Sequence, residues 1–451
     1  PKAPSRNNPL TGPEAGRDRR NWILGRMRRL GFIDDQAYAS ASAAPVTAEQ
    51  HGASISFAAD YAAEMARRRM LNRFGMSAYT AGYSVYTTID SRLQQVAQKA
   101  VVDGLRTYDS RHGYRGPERQ LPPAEGATDM PWELWAETLR EIPDIASLAP
   151  AIVIAVDDEG VDILLHDDRR GRLPWENGLR RARPSLSEDS RGAPPKVPAD
   201  VLAVGDVIRV SPAENDLWAL DQVPAAQAAL VSLRPDDGGI VSIVGGVGFE
   251  LSKFNRATQA QRQPGSNLKP FLYAAALDAG FTAASIINDA PIVMEDASLE
   301  GIWRPENDGG RFFGPTRLRW ALTKSRNLVS IRLLQQLGIR NFINYAQSLG
   351  FDTADFAPDL SLALGTHAMS PLELAGAYAM LANGGYRIEP FLIERVEDLS
   401  GEVVYRADPP TVCKRCGEVE ASTEEAGEEL SMEEILGGQD TRREAERVMD
   451  E

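Results

Sequence analysis

Ser266 is followed three residues later by Lys269, and this pair is the strongest chemical signal in the sequence. Residues 271–277 are mostly helix formers and Gly280 is suited to ending a helix, so the spacing predicts a helix in which the two side chains share one face. A buried lysine loses part of its affinity for a proton. Its neutral amine could then take the proton of the serine hydroxyl and make that oxygen a nucleophile.

A serine three residues before a lysine is common, so an ordinary structural role is the alternative interpretation. The chain has seven lysines, and Lys269 is the one that has serine at this offset. Further along, Ser325 and Asn327 supply a second hydroxyl and an amide, although alone they would suit a polar helix end. Together the residues form Ser-x-x-Lys and Ser-x-Asn, two of the three signatures of penicillin-recognising serine acyl transferases.

The composition is typical of a globular protein of two or three domains, with 451 residues, 43% of them hydrophobic and 25% charged. The sequence has no apolar run of about 18 residues or more, which a membrane-spanning helix would need, and no signal peptide. It begins without Met on residues that resemble the interior of a protein. We therefore expect a fragment.

The net charge of −15 is unevenly distributed. Residues 417–451 contain 13 acidic and 3 basic residues, a composition typical of a solvated or partly disordered segment. Residues 1–32 contain 8 basic and 2 acidic residues, which favours an anionic membrane surface or a nucleic acid. Because the basic residues are not interleaved with aromatic ones, we expect no nucleic-acid partner.

Cys413 and Cys416 are the two cysteines of the chain, and its four histidines are scattered without ligand spacing. Two thiols cannot fill a zinc site. We therefore expect no metal and no other cofactor. The pair is interpreted as structural, either as a local disulfide in an exported protein or as half of a zinc ribbon.

The pattern of residues changes character twice along the chain. Residues 1–77 have helical periodicity, 83–90 are rich in β-branched and aromatic residues, and 91–105 again predict a helix. Short strands are then predicted at 151–156, 161–166 and 201–210, which together suggest a small β barrel. From about residue 226, a hairpin of 229–233 and 240–244 precedes helices that start near 266, 316, 341 and 371, an order typical of an α/β or α+β domain.

Taken in order, these motifs resemble the class A, or bifunctional, penicillin-binding proteins of the type 1a subclass. Pro1-Lys-Ala-Pro-Ser5 with Asn8-Pro9 is similar to the end of that family's glycosyltransferase domain. The segment 265–270 matches its nucleophile motif, and 305–327 resembles the segment of its second motif. Residues 363–365, with the stretch from Pro371 to Gly385, are similar to a further signature.

The resemblance implies a multidomain fold of four segments: the C-terminal helical part of a glycosyltransferase domain at 1–77, a linker at 78–105, an OB-like β domain at 106–225 and an α/β transpeptidase domain at 226–451. In the last, helices pack on an antiparallel sheet. The third family motif, Lys-Thr/Ser-Gly, is missing, and no lysine follows Lys414. The glycosyltransferase's catalytic glutamates are missing as well. We therefore expect truncation at both ends, an impaired transpeptidase site and no glycosyltransferase activity.

The resemblance also implies the chemistry of the site. Ser266 would be the acylated nucleophile, Lys269 its general base, Ser325 the proton relay to the leaving amine, and Asn327 the group that holds Lys269 and the peptide. The backbone N–H of Ser266 would be one oxyanion donor. The acyl group would come from a D-Ala-D-Ala stem peptide and pass to an amine of a neighbouring one, and β-lactams would mimic the donor.

Two further residues are expected to contact the substrate: Asn307, which could instead stabilise a loop, and Gly365. The partners implied by the resemblance are stem peptides, lipid-linked glycan strands, an outer-membrane lipoprotein activator bound by the OB-like domain, and a second copy of the chain. The implied location is the periplasmic face of the bacterial inner membrane, where a helix absent from this chain would anchor the protein.

Two other functions share the same residues. A β-lactamase or D,D-carboxypeptidase has the same Ser-x-x-Lys and Ser-x-Asn pair but passes the acyl group to water, and the glycosyltransferase-like start of the chain argues against both. A non-catalytic scaffold that docks a regulatory protein gains support from the missing third motif. Stable or transient labelling by a penicillin would separate these alternatives.

Overall fold

The structure is a computed structural model that describes residues 7–10, 12–48, 57–121, 132–166, 168–296, 301–412 and 443–449. Cys413, Cys416 and most of the acidic segment 417–451 lie outside these described residues. Contacts divide the chain into two units, Pro1–Phe57 and Ala58–Glu451. Among the described residues, no helix combines the length and the apolar character that crossing a membrane requires.

Helices and strands are numbered along the chain. The helices are α1 (Pro13–Arg29), α2 (Asp35–Ala43), α3 (Asp60–Phe74), α4 (Ser77–Thr80), α5 (Ser91–Ser110), α6 (Trp132–Arg140), α7 (Lys269–Asp278), α8 (Leu318–Thr323), α9 (Asn327–Leu337), α10 (Ile339–Ser348) and α11 (Pro371–Asn383). The strands of the first half are β1 (Ser84–Thr87), β2 (Arg119–Gln120), β3 (Ala149–Val156), β4 (Gly160–Leu165), β5 (Arg170–Pro174), β6 (Ser185–Ser187), β7 (Ser190–Arg191), β8 (Asp206–Pro212) and β9 (Trp218–Asp221). The later strands are β10 (Leu230–Leu233), β11 (Ile240–Val244), β12 (Ile286–Asp289), β13 (Met294–Asp296), β14 (Gly301–Trp303), β15 (Gly314–Arg317), β16 (Ile393–Glu397) and β17 (Val403–Arg406).

The first unit consists of the helical pair α1 and α2. Asp34 ends the turn between them, and its side chain accepts a hydrogen bond of 2.7 Å from the backbone N–H of Ala37, which caps α2. The Arg20 guanidinium on α1 donates to the carbonyl groups of Ser42 and Ala44 at the end of α2. These bonds hold the two helices together.

In the second unit, helix α3 packs against strands that lie much later in the sequence. Ala62, Ala66 and Met70 are buried against Ile243 and Leu392. The contacts therefore divide the chain before α3, and the expected domain boundary at residue 77 stays a prediction. Strand β1, which lies in the expected linker 78–105, pairs with β16, and β16 in turn pairs with β17.

A separate antiparallel sheet is formed within residues 119–221, in the order β2-β8-β3-β4-β5, with β9 paired to β8. One face of it buries Val153, Ile163 and Leu173, and α6 covers other apolar residues of the same sheet. The predicted strands 151–156 and 161–166 are confirmed. The predicted strand 201–210 begins only at Asp206, because a turn through Gly205, with φ of 93°, comes first.

The last helices form a layer with a large apolar core. Helices α7, α9, α10 and α11 bury a cluster that includes Phe271, Leu333 and Phe342. Beside them, β10 and β11 form the predicted antiparallel hairpin. The helix predicted to start near residue 316 is broken: β15 and α8 come first, and α9 starts only after the loop 324–326.

Candidate active site

Ser266 lies on a single 3₁₀ turn, Gly265–Leu268, that leads into α7. The sequence predicted an α-helix through both Ser266 and Lys269, but the α-helix begins at Lys269. In a 3₁₀ turn, residues three apart are eclipsed, so Ser266 still precedes Lys269 by one turn on the same side. The Ser266 side chain is exposed, whereas Lys269 is only 1% exposed.

Gly365 supports the turn that carries Ser266. Its carbonyl oxygen accepts a hydrogen bond of 3.1 Å from the backbone N–H of Gly265. Its φ is 68°, and a Cβ atom at this position would lie 2.1 Å from the Gly265 carbonyl oxygen. Only glycine fits here. Gly365 is buried and supports the nucleophile turn, and its expected contact with substrate stays a prediction.

The Lys269 side chain joins the two serine motifs. Its Nζ donates to the Ser325 carbonyl oxygen at 2.8 Å, to Ser325 Oγ at 3.0 Å and to Asn327 Oδ1 at 2.7 Å. Burial lowers the pKa of Lys269 to about 8, because a buried ammonium loses its hydration. At neutral pH the amine therefore holds a proton most of the time but can lose it easily.

Ser266 Oγ is not among the hydrogen-bond partners of Lys269 Nζ in the described structure, although the sequence predicted that the two side chains meet. The ammonium has three N–H donors, and Ser325 and Asn327 accept all three. When the amine loses a proton it keeps two donors and gains a lone pair. The Ser325 hydroxyl can then reverse its bond and donate to Nζ, so this contact suits both protonation states.

Ser325 lies in the break between α8 and α9 with an unusual backbone. Its φ is 51°, in the left-handed region that residues other than glycine rarely adopt. Two backbone bonds hold the break: Ser325 N–H donates to Leu322 at 3.0 Å, and Arg326 N–H donates to Ala321 at 2.9 Å. Such a conformation costs about 1–3 kcal/mol and is common at active sites. It turns both the carbonyl and the hydroxyl of Ser325 toward Lys269.

Asn307 holds the start of α9. It is only 4% exposed, and its Oδ1 accepts from the backbone N–H of Asn327 at 2.9 Å and of Leu328 at 3.3 Å. Its Nδ2 donates to Asp289 and to the Arg311 carbonyl. Every polar atom of this amide is used inside the protein, so Asn307 caps α9, and its expected contact with substrate stays a prediction.

Some residues of the site were missed by sequence reasoning. Asp289, at the end of β12, is completely buried beneath α9. The Tyr378 hydroxyl on α11 donates to the carbonyl oxygen of Asn267 at 3.0 Å, beside the nucleophile. For Asp289, the one available signal was its position as an acidic residue that ends the apolar strand Ile286-Ile287-Asn288-Asp289. Tyr378 carried no signal, since the pairing joins distant segments.

The site contains the parts of a serine acyl transferase that uses no histidine. An exposed hydroxyl precedes a buried amine whose pKa is lowered to about 8, and a second hydroxyl contacts that amine. His367, which has no predicted role, stacks on Phe356 with ring centroids 4.4 Å apart. The arrangement can therefore move a proton between nitrogen and oxygen beside an accessible nucleophile.

Comparisons with known proteins agree with this geometry. A family model described as the penicillin-binding protein OB-like domain matches residues 114–226, and one described as the penicillin binding protein transpeptidase domain matches residues 228–423. The expected order of an OB-like domain followed by a transpeptidase domain is thus confirmed.

Individual relatives extend over most of the chain. Penicillin-binding protein 1A of Pseudomonas aeruginosa is 50% identical over 412 residues, which are 91% of this chain and 49% of the relative. Penicillin-binding protein 1A of Escherichia coli K12 is 41% identical over 417 residues, 92% of this chain and 49% of the relative. The chain thus spans about half the length of these curated relatives.

A solved structure is also similar. The crystal structure of penicillin-binding protein 1A from Haemophilus influenzae has a TM-score of 0.75 and 38% identity, and the match covers 100% of this chain and 64% of that one. The fold, the order of the two domains and the sequence identity all indicate the same origin. Over 91% of its length the chain is similar to penicillin-binding protein 1A, and residues 114–226 and 228–423 match the OB-like and transpeptidase domains of penicillin-binding proteins.

Proposed function

We propose that this protein is a peptidoglycan D,D-transpeptidase, a serine acyl transferase of a bifunctional peptidoglycan synthase. The observation that carries the proposal is the contact of the buried Lys269 amine with Ser325 Oγ and Asn327 Oδ1, one turn after the exposed Ser266. In its neutral form, Lys269 takes the proton of Ser266, whose oxygen attacks the carbonyl of the terminal D-Ala-D-Ala bond.

The leaving D-alanine amine receives its proton from Ser325, which Lys269 re-protonates. The acyl group then passes from Ser266 to an amine of a neighbouring stem peptide, which closes the cross-link. The backbone N–H of Ser266 stabilises the oxyanion of both steps. Substrates are stem peptides on glycan strands made from lipid-linked precursors, and β-lactams acylate the same serine.

A fluorescent penicillin tests this function on the full-length product of the gene that encodes the chain. We expect stable labelling that Ser266→Ala abolishes, while Ser348→Ala, at an exposed position on α10, labels like the wild type. Rapid loss of the label to water would instead indicate a β-lactamase or D,D-carboxypeptidase. No labelling of the wild type would indicate a non-catalytic scaffold.

The family suggests further proposals about location and partners. The protein acts at the periplasmic face of the bacterial inner membrane, an outer-membrane lipoprotein activator binds the OB-like domain, and two copies form a dimer. Residues 1–77 continue a glycosyltransferase domain. The binding of the activator is tested by cross-linking in cells, followed by mass spectrometry of peptides from 114–226. If every cross-link to the activator lay outside the OB-like domain, this proposal would be contradicted.

A further inference from the structure

We propose that Asp289 is a positioning residue for the acylation step: through Asn307 it fixes the N-terminus of α9, and hence the Asn327 side chain that holds Lys269. The inference deepens the proposed function and rests on it. Asp289 itself touches neither Ser266 nor Lys269 among the described contacts. Its effect travels through two amide side chains.

The first step of this path is the hydrogen bond between Asp289 and Asn307. Asp289 is 0% exposed at the end of β12, and its Oδ1 accepts from Asn307 Nδ2 at 2.7 Å. The second hydrogen of that amide goes to the Arg311 carbonyl at 2.9 Å. With two acceptors on its nitrogen side, the Asn307 amide has one favourable orientation, in which Oδ1 faces α9.

That orientation matters because α9 has no cap of its own. The residue before the helix, Arg326, makes no side-chain capping bond, so the first N–H groups depend on a distant partner. Asn307 Oδ1 accepts from two of them, at Asn327 and Leu328. If the amide turned over, its NH₂ group would face these N–H donors, and the helix start would lose its cap.

A second contact of Asp289 reaches the same loop from the other side. Its Oδ2 lies 3.9 Å from Arg326 Nε, and the Arg326 guanidinium stacks on the Phe313 ring at 3.7 Å from the centroid. Neither of the two paired atoms has a hydrogen-bond partner within the part of the chain that the structure describes, and both are buried. Leaving either charge alone would be costly, so the pair keeps Arg326 in place.

These contacts enclose the residues that face Lys269. In the chain, Arg326 lies between Ser325 and Asn327, so holding Arg326 in place also holds these two neighbours. The Asn327 Nδ2 donates to the Glu306 carbonyl at 2.9 Å, which leaves its Oδ1 for Lys269 Nζ. A displacement of about 1 Å at a catalytic group can cost a hundredfold in rate. Asp289 therefore controls the geometry of the base without touching it.

The test exchanges donor and acceptor between the two partners. Penicillin acylation of the full-length gene product is measured by stopped flow, which separates the acylation rate constant k2 from the dissociation constant of the non-covalent complex. Asp289→Asn, Asn307→Asp and the double variant are compared with the wild type. A control, Leu337→Ala, destabilises the other end of α9 and leaves the path intact.

We expect Asp289→Asn to lower k2 by about tenfold or more while the non-covalent dissociation constant changes by less than about twofold. Asn307→Asp places two carboxyl groups together and should lower k2 further. In the double variant, the new amide at position 289 donates to the new carboxylate at position 307 and so replaces the original bond. We therefore expect the double variant to recover k2 by at least about tenfold over Asn307→Asp.

Two results would overturn the inference while the proposed function stands. One is a k2 of the Asp289→Asn variant that equals the k2 of the wild type. The other is an equal fall of k2 in Asp289→Asn and Leu337→Ala at an equal loss of melting temperature, since that pattern reflects stability alone. A wild type that is never acylated contradicts the proposed function itself, and the positioning role of Asp289 falls with it.

Discussion

The amine of Lys269 and the side-chain oxygen of Asn327 lie 2.7 Å apart, although the two residues begin different helices, α7 and α9. Each residue thus lies at the N-terminus of its helix, where the backbone N–H groups depend on partners outside the helix. The contact sets the distance between the helix that follows the nucleophile and the loop that holds Ser325. It also gives the buried Lys269 ammonium an uncharged acceptor, and burial lowers the pKa of this amine to about 8.

Asn327→Asp should shift the pH dependence of acylation upward. A carboxylate beside an ammonium favours the charged amine, and such a partner raises the pKa of a lysine by about 1–3 units. We therefore expect the pH at which k2 rises to increase by about one pH unit or more, so that k2 reaches its plateau at a higher pH than in the wild type. Asn327→Ala, which adds no charge, serves as the control and should lower k2 with no upward shift. An unshifted limb in Asn327→Asp would contradict the contact.

In the wild type, acylation should increase with pH through about 8, the pKa to which burial lowers Lys269. The base acts in its neutral form, so the rate is low below this pKa and levels off above it. The measurement is k2 for penicillin between pH 6 and pH 10. A rate that keeps rising to about pH 10, as for an exposed lysine, would show that the amine is not buried during the reaction.

The same pKa makes a prediction about stability. The unfolded chain binds a proton at Lys269 up to about pH 10.4, whereas the folded protein releases it near 8, so folding is favoured as the pH rises between these values. Relative to Lys269→Met, the wild type should gain free energy of unfolding from pH 8 to pH 10. Urea unfolding of both proteins measures this difference, and a constant difference would contradict the lowered pKa.

Gly365→Ala should destabilise the protein and stop acylation. The new Cβ would lie 2.1 Å from the Gly265 carbonyl oxygen, and the positive φ adds about 1–2 kcal/mol. Gly280→Ala is the matched control, because Gly280 also has a positive φ but faces open space. We expect the control to lose stability by the φ cost alone and to keep wild-type k2. Equal effects of the two substitutions would show that Gly365 does not support the nucleophile turn.

Ser325→Gly and Ser325→Ala separate strain from chemistry. Both remove the hydroxyl that contacts Lys269, so both should lose acylation by about a hundredfold or more. Glycine accepts the φ of 51° without strain, so Ser325→Gly should be more stable than Ser325→Ala by about 1 kcal/mol. Urea denaturation gives the difference. If Ser325→Ala were the more stable variant, the backbone here would not be strained.

The sequence predicted the elements that follow local patterns. The β10–β11 hairpin, the strands within 149–165 and α11 are confirmed, because alternation, turn residues and a capping box at Ser370 act over a few residues. The break before Asn327 was missed. Periodicity continues across the gap, and the left-handed backbone of Ser325 is held both by its bond to Leu322 and by the tertiary bond from Lys269, which the sequence does not show.

The residues of the candidate site could be predicted from their motifs, but the contacts among these residues could not be predicted. Ser266, Lys269, Ser325 and Asn327 are recognisable by type and spacing, yet the spacing favours a direct bond from Lys269 to Ser266. The structure instead gives all three Lys269 donors to the second motif. Likewise, nothing in the sequence shows that the Asn307 amide is bonded to Asp289 and to the start of α9.

The central claim is that burial lowers the pKa of Lys269 to about 8, and NMR measures this most directly. With lysine labelled at ¹³Cε and ¹⁵Nζ, and the Lys269 resonance identified by its absence in Lys269→Arg, a pH titration follows each amine of the chain. We predict that the Lys269 resonance titrates at about 8, while exposed lysines titrate near 10.4. Titration of Lys269 with the exposed lysines would contradict the account.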